Sequence, residues 1–281
     1  MPAHAPLDLA LVGSDFPSFG RLRACRYGWM LYNPHDIFIG RSFDLYAEFS
    51  ESEVDLFRRI IQPGSVVLDI GANIGAHSVA LARIVGPGGV VHAFEPQRIL
   101  FQTLCANLAL NSLPNVLPYH TALGSRPGKA HMPFFDYTSP ANFGGVAVDA
   151  FHEGETVAIG VLDRANLPRC DFAKIDVEGF ESEVLLGAAD TIDRMRPILY
   201  VENDRKEKSQ ALIQLLTEMR YRLWWHVAPF FNPENFSGET ANPFGAMKSI
   251  NMLCIPKEHD EGPQGLPEVT GPEDWWYREG D

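Results

Sequence analysis

Acidic and glycine residues between positions 69 and 95 have the spacing of a nucleoside site. The segment DIGANIG begins at Asp69, and its glycines Gly71 and Gly75 bracket a tight turn where backbone can approach a ligand closely. Glu95 follows 20 residues after Gly75, directly after the apolar run Val90–Phe94. A carboxylate at this distance from a glycine turn accepts hydrogen bonds from the two hydroxyls of an adenosine ribose. The pattern therefore predicts that a nucleoside binds beside two neighbouring strand ends.

The residue at position 73 indicates which nucleoside this is. The dinucleotide fingerprint G-x-G-x-x-G uses its middle glycine to admit a pyrophosphate. Here the order is Asp69-x-Gly71-x-Asn73-x-Gly75, and Asn73 stands where the D-x-G-x-G-x-G motif of methyltransferases has its middle glycine. The spacing and the leading acid favour a ligand with a ribose but no phosphate, which is S-adenosylmethionine. A nicotinamide enzyme and a glycine turn without a ligand are the alternatives.

A second set of charged residues lies in the segment KIDVEGFE at positions 174–181. Lys174, Asp176 and Glu178 occupy alternate positions, so they share one side of a strand whose other residues are apolar. Burying charge there is costly unless it is paired or functional, and Lys174 can neutralise one carboxylate. The alternative to a catalytic role is a buried ion network that only orders the strand end.

Together these segments resemble a known family. DIGANIG (69–75), FEP (94–96) and above all KIDVEGFE resemble the FkbM family of S-adenosylmethionine-dependent methyltransferases, from about Gly28 to Pro256. The resemblance implies O-methylation of hydroxyls on natural products, sugars or glycolipids. It also implies that the segment Tyr46–Phe49 lies near the cofactor, where Glu48 would accept a hydrogen bond from the methionine ammonium. A solvated surface acid is the alternative for Glu48.

Composition limits the class of protein and its partners. The 281 residues are 46% hydrophobic and 21% charged, which is ordinary for one large globular α/β domain. The formal net charge of −13 disfavours nucleic acid and anionic membrane as partners. The four cysteines are scattered without a C-x-x-C spacing, so we expect reduced thiols in a cytoplasmic protein. We also expect no secretion signal and no membrane span.

The order of strand and helix patterns predicts the fold. Apolar strand patterns alternate with helix patterns from residue 66 to residue 219, as in a parallel sheet with right-handed crossovers. The last two strand patterns, Tyr221–Val227 and Ser249–Ile255, have no helix between them, which implies one antiparallel strand. The expected fold is therefore α/β and Rossmann-like: the class I methyltransferase fold, with a seven-stranded, mostly parallel sheet and one antiparallel strand.

Three parts of the chain are expected. Residues 1–60 comprise an N-terminal arm, a hairpin within Trp29–Ile39 and a lid helix that begins at an N-cap, Ser52. Residues 61–256 form the S-adenosylmethionine-binding catalytic domain, with residues 28–60 in the same globular unit. Residues 257–281 form an acidic tail, whose aromatic end at 275–277 packs on the domain or a partner, or is a flexible end.

Ligands in open α/β sheets bind beyond the carboxyl ends of the strands. The polar residues there, and those near the predicted hairpin and insert, give the candidate sites. The expected cofactor-binding residues are Asp69, Gly71, Asn73, Gly75, Glu95, Thr121, Glu48 and Asp176. The expected catalytic residues are Asp176, Glu178, Lys174 and Glu202, and the expected substrate residues are His226, Tyr32 and Asn33. The insert 228–247 is expected to shape the acceptor pocket with its aromatic side chains.

Two mechanisms follow for activation of an acceptor hydroxyl. In the preferred one, Asp176 is a general base, and the nearby Glu178 raises the pKa of the Asp176 carboxyl. In the other, Asp176, Glu202 and Asn203 hold Mg²⁺, in an arrangement that resembles catechol-type methyltransferases, although Glu202 replaces the usual Asp. The acceptor is expected to be a small molecule or glycan. A catalytically inactive cofactor-binding module and an NAD-dependent oxidoreductase are the alternative functions.

Overall fold

The computed structural model describes residues 19–148, 150–259 and 262–277. It begins with strands β1 (Arg21–Cys25) and β2 (Gly28–Tyr32), followed by helices α1 (Ile39–Tyr46) and α2 (Glu51–Ile60). The hairpin predicted around Asn33 was misplaced, because the chain turns between Cys25 and Gly28. Gly28 permits that turn with φ 135°. The predicted N-cap was also wrong: Ser50, with φ 47°, precedes α2, and Ser52 lies inside the helix.

The first half of the core contains three strands of the main sheet and a small side sheet. Strand β3 (Val66–Ile70), helix α3 (Ala76–Val85), strand β4 (Val90–Phe94), helix α4 (Arg98–Leu110) and strand β5 (Val116–Tyr119) follow in order. The predicted strand over 116–123 is divided, because β6 (Ala122–Leu123) leaves the main sheet. It joins β7 (Gly128–Met132) and β8 (Glu155–Gly160) in a separate three-stranded sheet.

The second half contains the other four core strands. A 3-10 helix at Leu162–Ala165 precedes strand β9 (Phe172–Ile175), and two short helices, α5 (Glu181–Leu186) and α6 (Ala189–Met195), follow it. Strand β10 (Ile198–Glu202), helix α7 (Lys206–Glu218) and the long strands β11 (Tyr221–Pro229) and β12 (Lys248–Pro256) complete the sheet.

The main sheet has seven strands in the order β5-β4-β3-β9-β10-β12-β11. All pairs are parallel except those of β12, which runs antiparallel to both β10 and β11. The predicted α/β class I methyltransferase fold is therefore confirmed. The carboxyl ends of β4, β3, β9 and β10 lie side by side at one edge of the sheet.

Helices cover both faces of this sheet. Side chains of α2, α3 and α4 pack with alternate strand residues such as Val67 and Phe172, and side chains of α5, α6 and α7 pack with Leu68 and Ala173. This alternation places Asp69 and Lys174 on the face that α2 and α3 cover. The division into arm, catalytic domain and tail remains a prediction.

The described part of the C-terminal segment lies along the outer strand β11. Backbone amides of Val269 and Trp225 donate to Leu223 and Pro267, both at 2.9 Å. Trp275 packs edge-to-face on Trp225, with ring centres 5.8 Å apart. Among the helices of the described residues, none is long and apolar enough to cross a membrane.

Candidate functional site

A cavity of about 570 Å³ opens at the carboxyl edge of the sheet. It is lined by the β3–α3 turn, the end of β4, the segments after β9 and β10, and side chains of α2 and β12. Its volume is in the range of small-molecule sites. Of the residues predicted for the site, the cavity brings together Gly71, Asn73, Glu95, Lys174, Asp176, Glu178 and Glu202.

The β3–α3 turn has a left-handed backbone at three positions. Gly71, Asn73 and Gly75 have φ values of 85°, 51° and 87°. A Cβ on Gly71 would lie 1.7 Å from the carbonyl oxygen of Asp176, so this position requires glycine. Gly75 does not line the cavity; a Cβ there would lie 2.6 Å from Leu104 on α4. The turn is thus fixed between the segment after β9 and helix α4.

Glu95 holds the next strand end against this turn. One carboxylate oxygen accepts from the backbone N–H of Asn73 at 2.9 Å, and the other accepts from the backbone N–H of Gln97 at 2.7 Å. Burial raises the pKa of Glu95 to about 7, despite these hydrogen bonds. Each oxygen keeps a further lone pair that a ligand hydroxyl can use.

A buried lysine connects the turn to the segment after β9. Lys174 is 2% exposed, and its ammonium lies 3.0 Å from Asp176 Oδ2 and 3.5 Å from Asp69 Oδ1. It also donates to the Gly71 carbonyl at 3.3 Å. Asp69 itself lies beneath the cavity wall and accepts a hydrogen bond from Ser78 at 2.6 Å. Asp69 therefore supports the turn from below.

Three carboxylates converge at the opposite end of the cavity. Oxygens of Asp176, Glu178 and Glu202 lie within 4.8 Å of one another. Arg205 pairs with Glu178 at 2.5 Å, whereas Glu202 Oε2 is buried without a hydrogen-bond partner. Burial and repulsion from Asp176 raise the pKa of Glu178 to about 8 and that of Glu202 well above its ordinary value.

These carboxylates differ from the metal trio named from the sequence. The Asn203 amide nitrogen donates to Ser209 at 2.9 Å, and Asn203 does not line the cavity. Glu178 takes its place in the cluster, because β10 ends at Glu202 and the next residue turns toward α7. The described residues thus offer three carboxylates as candidate ligands for a cation.

Sequence reasoning missed Glu53 and His77, which line the cavity beside Lys174. Glu53 is 3% exposed, and its Oε2 lies 3.0 Å from His77 Nε2. The position of Glu53 in the sequence could have indicated a buried acid, because Glu53 lies on the otherwise apolar face formed by Val54 and Phe57 of α2. Such a residue is buried only with a partner.

Five other predicted residues lie away from this cavity. Glu48 is buried in a network with Arg26 and Asn232, at 2.7 and 2.8 Å. Thr121 donates to the Ala158 carbonyl at 2.9 Å in the side sheet. His226 lines a separate cavity of about 310 Å³, and Tyr32 and Asn33 line a small apolar one of about 60 Å³.

Apolar side chains cover the main cavity. Phe230 and Met247, at the two ends of the predicted insert, line it with Phe38 and Phe49. The Phe230 ring contacts both phenylalanines, with ring centres 5.5 and 6.1 Å apart. Five residues between positions 142 and 148 line the side near Glu95, where the Gln97 side chain donates to the Phe143 carbonyl at 2.7 Å.

Comparison with known sequences places the central part of the chain in one family. The profile of the methyltransferase FkbM domain matches residues 69–223. The chain is 29% identical over 162 residues to 31-O-demethyl-FK506 methyltransferase FkbM of Streptomyces tacrolimicus, covering 46% of this chain and 62% of that protein. It is 28% identical over 194 residues to AMB antimetabolite synthetase AmbE of Pseudomonas aeruginosa, covering 54% of this chain and 9% of that protein. The chain thus spans less than two thirds of these relatives.

Solved structures with a related fold are more distant in sequence. Methyltransferase FkbM from Methylobacillus flagellatus has a TM-score of 0.45 and 16% identity, over 72% of this chain and 50% of that chain. An S-adenosylmethionine-dependent O-methyltransferase from Thermotoga maritima has a TM-score of 0.44 and 12% identity, over 75% of this chain and 67% of that chain.

Proposed function

Because the chain belongs to the methyltransferase FkbM domain family, we propose that it is an S-adenosylmethionine-dependent O-methyltransferase. The acceptor is a hydroxyl of a sugar, glycolipid or polyketide-type natural product. The observation that carries the proposal is one cavity with a ribose-type carboxylate, Glu95, beside the Gly71 turn and a carboxylate cluster around Asp176. The cytoplasm is the proposed location.

The residues at the Glu95 end fit the cofactor. Gly71 presents backbone at a point where a side chain could not be placed. Glu95 lies beside it with lone pairs for the two ribose hydroxyls, and Asn73 and Gln97 fix its carboxylate. Asp69 supports this arrangement through Ser78 and Lys174. When bound, S-adenosylmethionine supplies an electrophilic methyl group on a sulfonium.

Asp176 is the proposed general base. Lys174 lies 3.0 Å from the Asp176 carboxylate, which can accept the proton of an acceptor hydroxyl. Burial and charge repulsion raise the pKa values of the neighbouring Glu178 and Glu202. The raised pKa values favour the protonated forms of these two groups, which can donate hydrogen bonds to acceptor oxygens. Positioning of the hydroxyl supplies much of the remaining rate.

The acceptor lies against the aromatic side of the cavity in this proposal. Phe38, Phe49 and Phe230 offer ring faces and edges to the apolar face of a sugar or polyketide. The name of the Streptomyces tacrolimicus relative refers to 31-O-demethyl-FK506, which agrees with methyl transfer to an acceptor oxygen. Tyr32, Asn33 and His226 lie outside this cavity, so any role for them in acceptor binding is indirect.

The test is methyl transfer from labelled S-adenosylmethionine to a panel of sugars, glycolipids and glycosylated polyketides. We expect label on an oxygen of at least one acceptor, in wild-type protein and not in Asp176→Asn. Binding of S-adenosylhomocysteine without transfer to any acceptor would favour an inactive cofactor-binding module. Binding of NAD in place of S-adenosylhomocysteine would favour an oxidoreductase.

A further inference from the structure

We infer that Glu53 and His77 bind the charged amino-acid end of S-adenosylmethionine, so that α2 completes the cofactor site. This inference rests on the proposed function. Glu53 lies N-terminal to the matched residues 69–223, on a helix that packs against α3. Both side chains line the cavity that contains the Gly71 turn.

The Glu53 carboxylate is fixed inside the cavity wall. Its Oε1 accepts from the side-chain amide of Asn251 on β12 at 3.0 Å, and its Oε2 lies 3.0 Å from His77 Nε2. Burial opposes the charge on Glu53, but His77 and Lys174 outweigh it and lower the pKa of Glu53 to about 2. The group is therefore an anion at every pH at which the protein would work.

The His77 ring is held in one orientation. Phe49 and Phe57 pack against it, with ring centres 5.7 and 5.6 Å away. Because Nε2 lies beside the Glu53 carboxylate, Nδ1 is the ring nitrogen that remains for a ligand. It accepts a hydrogen bond from an ammonium when the ring is neutral, and donates one to a carboxylate when the ring is charged.

The charges on this wall match those of an amino acid. Glu53 supplies negative charge, and Lys174 supplies positive charge on the same face of the sheet. His77 lies in the first turn of α3, where backbone N–H groups lack intrahelical partners and favour an anion. An α-ammonium beside Glu53 and an α-carboxylate beside the start of α3 would both meet opposite charge in a partly buried site.

The strand order places Lys174, Glu53 and His77 where the amino-acid end of S-adenosylmethionine would lie. Glu95 ends β4, and the next strands across the sheet are β3 and then β9, which carries Lys174. A ligand whose ribose lies on Glu95, and whose remaining atoms pass over the Gly71 turn, therefore extends toward Lys174, Glu53 and His77. Glu48, the residue predicted for the ammonium, is occupied instead by Arg26 and the Phe236 amide, each at 2.7 Å.

Calorimetry with two ligands tests the inference. S-adenosylhomocysteine carries the amino-acid end, whereas 5′-methylthioadenosine has the same adenosine without it. We expect Glu53→Gln and His77→Gln each to weaken S-adenosylhomocysteine by about tenfold or more, the size of a lost hydrogen bond to a charged group. Affinity for 5′-methylthioadenosine should stay within about twofold of wild type, because this ligand lacks the amino-acid end that the two side chains would contact.

Glu51→Gln is the matched control. Glu51 is a buried acid on the same helix, paired with Arg26 and Arg58 outside the main cavity. It should change neither affinity, and thermal melts of all three variants report whether the fold is intact. Unchanged S-adenosylhomocysteine affinity in Glu53→Gln, equal weakening of both ligands, or a selective loss in Glu48→Gln instead would overturn the inference. Wild-type protein that binds neither ligand would overturn the proposed function itself.

Discussion

The ammonium of Lys174 lies 3.0 Å from Asp176 Oδ2. Lys174 belongs to strand β9, whose other side chains are apolar. Asp176 is one third exposed toward the cavity, whereas Lys174 is buried. Burial opposes the charge on Lys174, but Asp176, Asp69 and Glu53 outweigh it and raise the pKa of the ammonium above its ordinary value. A single fixed cation thus connects the Gly71 turn, the wall formed by α2 and the carboxylate cluster. The cofactor end at Glu95 and the carboxylate cluster at Asp176 can therefore be tested by separate substitutions.

Glu95→Ala should weaken cofactor binding without unfolding the protein. The variant removes a carboxylate that the proposal assigns to both ribose hydroxyls, so we expect a loss of about 1–3 kcal/mol. Calorimetry with S-adenosylhomocysteine measures it, and circular dichroism checks the fold. Unchanged affinity in a folded variant would show that the ribose lies elsewhere.

The pH dependence of nucleoside binding should also depend on Glu95. Its pKa is raised from 4.5 to about 7 in the folded protein, so the native state holds a proton that the unfolded chain releases over this range. The contribution of Glu95 to stability is therefore present below pH 4.5 and is lost as the pH rises through 7. The ionised carboxylate is the form that accepts from two hydroxyls.

Affinity for 5′-methylthioadenosine should accordingly rise as the pH is raised from 6 to 8, approaching about tenfold per unit below the pKa. This ligand has no amino-acid charges of its own to titrate in that range. Glu95→Gln is the control, since it should bind weakly and without this dependence. A wild-type affinity that is flat from pH 6 to pH 8 would contradict the assignment.

The strand-to-helix order of the fold followed directly from sequence periodicity. Parallel strands buried on both faces, such as Val66–Ile70, are apolar throughout, and the glycine turn after them is explicit in the sequence. The hairpin was misplaced because Asn33–Pro34 is a strong turn signal, whereas the actual turn depends on Gly28. Local signals of this kind do not specify which strands pair.

The site was predicted less completely than the fold. Residues directly after strands, such as Glu95 and Asp176, can be located from the sequence because strand ends gather at one edge. Glu53 and His77 could not, because their contact depends on how α2 packs over α3. Glu48 and Glu53 are both acids near the start of α2, and sequence spacing alone does not separate them.

Phe57→Ala should destabilise the protein strongly. Phe57 is fully buried and packs edge-to-face against Phe172 and Tyr200, with ring centres 5.3 and 5.0 Å apart. Removing the ring leaves a cavity between α2 and the sheet, at a cost of about 3–5 kcal/mol. Urea denaturation measures the change in the free energy of unfolding.

The matched control is Phe134→Ala, because that ring is 79% exposed. It should change stability by no more than about 0.5 kcal/mol. Equal effects of the two substitutions would contradict the packing of α2 described above.

Removal of divalent cations decides between the two proposed ways of activating the acceptor hydroxyl. The general-base mechanism predicts full activity in EDTA, together with loss of at least about 100-fold in Asp176→Asn, since general base catalysis contributes about 10²–10⁴-fold. The alternative has Asp176, Glu178 and Glu202 hold Mg²⁺, whose preferred ligands are carboxylate oxygens. It predicts loss of activity in EDTA and recovery when Mg²⁺ is restored.

The Glu202→Gln variant further distinguishes the two mechanisms. It removes a metal ligand, but it retains a hydrogen-bond donor where the base mechanism places a protonated carboxyl. If Glu202→Gln retains activity near that of wild type in EDTA, the general base is supported. If EDTA abolishes activity, and added Mg²⁺ restores it in the wild-type protein but not in Glu202→Gln, the cation is established.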